Sequence, residues 1–81
     1  MRLRVIAYPP EGHSDAPLIL GESPTLSGAR QLVRQALGVR HLAPGRRYAS
    51  PDEDVIEGWN SLPPSHPAAH GCAVLEITAI A

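Results

Sequence analysis

Apolar residues recur along this chain at two spacings, and the change from one to the other marks its elements. Over RLRVIAY, residues 2–8, Leu3, Val5 and Ala7 alternate with Arg2, Arg4, Ile6 and Tyr8, the two-residue period of a half-buried strand. Pro9 and Pro10 end it. The connection carries Gly12, Ser14 and Asp15, which favour turns, and PLILGE then reads as a second, shorter strand. A hairpin with a long loop is expected. From Ser23 to Gly38 the period lengthens: at about 100° per residue, Leu26, Ala29, Leu32, Val33, Ala36 and Leu37 fall on one arc about 140° wide. Ser27, Gly28, Arg30, Gln31, Arg34 and Gln35 fill the other side. That is an amphipathic helix, with Ser23 or Thr25 to cap its start and Gly38 to close it in the left-handed conformation. A helix this short is marginal alone, so its apolar arc must lie on the flanking strands.

Beyond the helix, residues 39–50 suit one or two short strands turning at Pro44 and Gly45, with Val39, Leu42 and Tyr48 inward. In SPDEDVIEGW, Ser50 precedes Pro51 and stands three residues before Glu53, the capping-box spacing with proline at the first helical position. A second helix of two turns is expected there. Asp52, Glu53 and Asp54 then complement its N-terminal dipole, and Val55, Ile56 and Trp59 share a face. Residues 60–71 hold too much proline for regular structure. The closing run CAVLEITAIA alternates Ala73, Leu75, Ile77 and Ala79 against Val74, Glu76, Thr78 and Ile80, and reads as a strand pairing with one of the first two near the sheet centre. The fold class is therefore α+β: a small sheet of three to four mainly antiparallel strands with one amphipathic helix packed on one face and a second short helix, in the order β-β-α-(β)-α-β.

With 81 residues, 1–81 form a single domain that buries only about 60 to 65% of its unfolded surface. There is no Phe, so Leu, Ile, Val and Ala must supply the core around Trp59, Tyr8 and Tyr48. No run approaches the length of a membrane span, and the alternation after Arg2 is unlike a signal peptide. The single Cys72 has no intramolecular partner, which suits a reducing compartment, so a cytoplasmic location without membrane attachment is expected. All seven basic side chains are arginine; without lysine there is no Schiff-base enzyme and no P-loop of the usual kind.

Charge changes the picture most. Between Glu22 and Asp52 there are five arginines, Arg30, Arg34, Arg40, Arg46 and Arg47, and no acid, while the rest of the chain holds all eight acids against Arg2 and Arg4. A nearly neutral total hides a dipolar chain. Arg30 and Arg34 lie one helical turn apart, and Arg46 and Arg47 adjoin Tyr48, a combination that suits phosphates and bases as well as the carboxylates of a protein. Asp52, Glu53 and Asp54 are near enough in sequence to neutralise them within the chain. No helix-turn-helix, RNA-recognition sheet or GXXG loop supports nucleic acid. Trp59 serves either the small core or an interface, where Trp, Tyr and Arg are favoured.

His66, His70 and Cys72 form H-x3-H-x-C with His41 as an outlying fourth ligand, but structural zinc sites bring paired elements and Pro67 breaks the helix that would align the histidines. No metal and no cofactor is expected. Cys72 beside His70 lacks a third group to orient a base, and the acids cluster at one place rather than across a cleft, so no enzyme is expected. The reading is a non-catalytic protein-protein interaction module that occupies a surface of a larger partner, in the manner of phage or mobile-element accessory and inhibitory proteins. Its partner-binding residues are Arg30, Arg34, Arg46, Arg47, Tyr48 and Trp59. The alternative is a small nucleic-acid-binding protein using the arginine-rich face, and the third a metal-stabilised domain.

Overall fold

The computed structural model describes residues 2–9, 16–61 and 74–80. Within them the chain runs β1 (Arg2–Tyr8), β2 (Leu18–Ser23), α1 (Leu26–Leu37), a 3₁₀ turn (Pro44–Arg46), β3 (Arg47–Tyr48), β4 (Val55–Asn60) and β5 (Val74–Ile80). All pairings in the sheet are antiparallel, in the order β2-β1-β5-β4-β3. The small α+β class expected from the periodicities holds, with a five-stranded sheet and one helix among the described residues. The hairpin of β1 and β2 forms, and β5 takes the centre beside β1.

Register sorts side chains by face. Leu3, Val5 and Ala7 of β1 stand opposite Ala79, Ile77 and Leu75 of β5, and Glu57 and Trp59 of β4 opposite Ile77 and Leu75. All of these share the face that α1 covers, so Leu3, Val5, Leu75, Ile77 and Trp59 meet Ala29 and Val33 of the helix in one core. The largest fully enclosed side chains among the described residues, Val5, Val33 and Ile77, sit here. The helix is held at both ends: the Thr25 hydroxyl accepts from the Gly28 N–H at 3.1 Å, and Gly38 takes φ 69°, where its N–H closes back onto the Gln35 carbonyl. Ser23 lies two residues before the Thr25 cap, accepting from the Thr25 N–H at 3.2 Å.

The expected second helix does not form. Its supposed capping box is a turn: the Ser50 hydroxyl accepts from the Asp52 N–H at 3.2 Å, an Asp52 carboxylate oxygen from the Asp54 N–H at 2.9 Å, and the Asp52 carbonyl from the Val55 N–H at 3.1 Å. Val55 to Asn60 then extend as β4, bonded to β5 on one side and β3 on the other. Two β-branched residues and Gly58 weaken a helix, and the two-residue spacing of Glu57 and Trp59 puts both on the core face of a strand. A register shift between Val55 and Glu57 sets Ile56 outside the ladder. The strand count of three to four is corrected to five for the same reason, since β3 needs β4 as its partner.

Candidate anion-binding cleft between helix and sheet

Glu57 is the polar centre of the helix-sheet junction. Its side chain is 2% exposed, a position that a carboxylate tolerates only when its oxygens are occupied. Arg30, projecting from α1, donates its Nε–H at 3.1 Å to each oxygen and closes the fork with a second guanidinium nitrogen on Oε1. Trp59 Nε1 donates to Oε2 at 3.2 Å from two positions further along the same strand face. The Arg30 hydrogen bonds hold the Glu57 carboxyl below its usual carboxylate range although burial pushes the other way, and Glu57 in turn raises Arg30. Arg47 stands opposite Trp59 in the ladder and adds a weaker pull on Glu57.

Around this pair opens a cleft of about 280 Å³ lined by Arg30, Arg34, His41, Leu42, Arg47 and Trp59. Each wall has a local cause. Arg34 follows Arg30 by one turn of α1, the Gly38 cap turns the chain so that His41 and Leu42 return beside the helix, and pairing with β4 brings in Arg47. Leu42 packs against the core and Trp59 is buried, so the floor is apolar. The Arg34 guanidinium donates to the neutral Gln31 side-chain oxygen. Among the described residues, Arg30 alone of the three cleft arginines is ion-paired, which leaves Arg34 and Arg47 in the lining without a carboxylate partner. Cations in a recess with a low-dielectric floor concentrate anions. Arg47 also borders a second cleft of about 450 Å³ along the β3–β4 edge, where Pro44, Val55 and Ile56 supply apolar surface.

Of the residues singled out from the sequence, Arg30, Arg34, Arg47 and Trp59 come together in the cleft, and Arg46 and Tyr48 do not line it. Tyr48 pairs with Gly58 and therefore belongs to the opposite sheet face, where its hydroxyl donates to Glu76 and burial, then Glu76, raise its pKa. Asp52, Glu53 and Asp54 make no ion pair with an arginine among the described residues. Arg2 and Arg4 share Glu22, at 3.0 and 2.9 Å, and their hydrogen bonds, Arg4 first, lower its pKa. His41 and Leu42 also line the cleft, although the sequence marks them only as an outlying metal ligand and an inward residue; Glu57, which holds Arg30 there, was not marked, and a Glu two before a Trp was the available signal. His66, His70 and Cys72 lie outside the described residues, and among those described no three His, Cys, Asp or Glu gather as metal ligands. No described helix is long and apolar enough to cross a membrane. No family model, curated protein or solved structure matches the chain.

Proposed function

We propose that this protein is a non-catalytic interaction module of the cytoplasm that takes an acidic segment of a larger protein into the arginine cleft. The observation that carries the reading is the convergence of Arg34 and Arg47, without carboxylate partners among the described residues, over the apolar floor of Trp59 and Leu42. A guanidinium fork fits a carboxylate in two parallel hydrogen bonds, and the low-dielectric floor strengthens them. The second cleft continues from Arg47 past Ile56, which is among the exposed large apolar side chains, so a segment with an acidic residue followed by an apolar one finds complementary surface along this edge. Nucleic acid is the less suited ligand: Trp59, although beside the arginines, is 5% exposed and Tyr48 lies on the other sheet face, so neither offers an open ring face in the cleft to stack on a base. Occupying a partner's surface in this way is the mode of small accessory and inhibitory proteins.

Trp59 is the only tryptophan and reports the cleft directly. Titration with a peptide of alternating Glu and Leu is expected to change its emission, with affinity about tenfold weaker in Arg34→Ala/Arg47→Ala and only a moderate loss at raised salt. A labelled single-stranded oligonucleotide run alongside distinguishes the alternative. Oligonucleotide binding that collapses steeply with salt, with no response to the peptide, would replace this reading by the nucleic-acid one.

A further inference from the structure

We infer that β2 is a pairing edge for a second copy of this chain, extending the sheet across a two-fold axis. β2 is an outermost strand of the five, and among the described residues only β1 pairs with it. Leu18 and Ile19 on this edge are 63% and 54% exposed, the largest values among the exposed large apolar side chains of the described residues. The two ends of the sheet are guarded very differently. β3 has two residues, follows the Pro44–Arg46 turn and begins with Arg47, the short and charged kind of edge that resists further pairing. β2 has six residues with no proline or cation, and its one charge, Glu22, is drawn back over its own sheet by Arg2 and Arg4.

The charge on the surrounding surface selects the occupant. In a two-fold pair each residue of the patch meets that same patch, so a surface carrying one sign of charge repels itself. Over β2, α1 sets the uncharged Leu32 against Gly21 and Gly28 against Ser23, and on the other sheet face the charges of Arg2 and Arg4 are turned to Glu22 within the chain. Arg30 and Arg34 are on the other flank, toward β4. The β2 edge is thus compatible with its own image and the arginine edge is not. Pairing also covers Leu18 and Ile19 and satisfies the outward backbone groups of the strand. One six-residue strand is shorter than a standard interface of about 800 Å² per partner requires, so the pair includes the helix flank and dissociates on dilution. The two arginine clefts remain open at the far ends.

Analytical ultracentrifugation of the full chain from about 10 μM to about 500 μM is the test. The mass is expected to rise from 8.6 kDa toward twice that value. Ile19→Lys sets like charges against each other across the axis and is expected to remain at 8.6 kDa with an unchanged far-ultraviolet circular dichroism spectrum. A wild-type mass of 8.6 kDa throughout overturns the inference. So does a folded Ile19→Lys that associates like the wild type. If that variant does not fold, hydrogen exchange of the wild type decides: β2 amides that slow with rising concentration support the pair, and concentration-independent exchange overturns it.

Discussion

A carboxylate as enclosed as that of Glu57 stays charged because Arg30 and Trp59 Nε1 occupy its oxygens, and the consequence is a pH dependence with a definite sign. Its folded pKa lies below the unfolded value, so its contribution is complete above about pH 4.5 and is lost as pH falls through the folded pKa. Glu57→Gln preserves shape and removes the charge. The Arg30 side chain is 41% exposed, so solvent screens part of the pair, and a loss of about 1 to 3 kcal/mol at neutral pH is expected from urea unfolding. Between about pH 5 and pH 2 the variant's unfolding midpoint should fall less than the wild type's, the remainder coming from Glu22. Equal acid slopes in the two chains would show that Glu57 does not carry this charge linkage. The local pattern offers only a Glu two before a Trp to mark this residue, because its partner lies 27 positions away on the helix and its burial comes from the sheet.

Pairing of β3 with β4 brings one cross-strand pair into very close contact. Tyr48 stands opposite Gly58 and its ring covers the glycine so closely that a Cβ there would overlap it, while the Tyr48 hydroxyl is fixed by Glu76 on β5. Gly58→Ala is therefore expected to cost about 1 to 3 kcal/mol by overpacking, and less than about 1 kcal/mol in a Tyr48→Ala background, where the ring is gone. A double-mutant cycle by chemical unfolding measures the difference, and additivity would mean that the ring moves aside freely. Local and tertiary signals disagree over this segment. Ser50, Pro51 and Glu53 carry a helix-start signature, and only ladder hydrogen bonds to β5 and β3 convert Val55–Asn60 into a strand. For α1 the local and the tertiary demands agree, since Thr25, Gly38 and the apolar arc all specify the helix that the sheet requires.

Across the whole molecule, protection should follow the strand order rather than the chain order. β5 and β1 have neighbours on both sides and carry Val5 and Ile77, so their amides are expected to exchange slowest, while β3, with two residues at an edge, exchanges fastest. Hydrogen exchange followed by nuclear magnetic resonance at low protein concentration checks this, and slow exchange in β3 would require a different edge. The sequence by itself determined the hairpin of β1 and β2, the capped amphipathic helix, the final strand and the segregation of cations into the middle of the chain. Each of these is written in neighbours a few residues apart, through a period, a cap or a run of charge. Only the tertiary structure decided that Val55–Asn60 is a strand, that Glu57 meets Arg30, and that Arg47 joins Arg34 over Trp59 while Tyr48 turns to the other face. Those outcomes depend on strand register between distant segments, and a shift of one residue would send each side chain to the opposite side of the sheet.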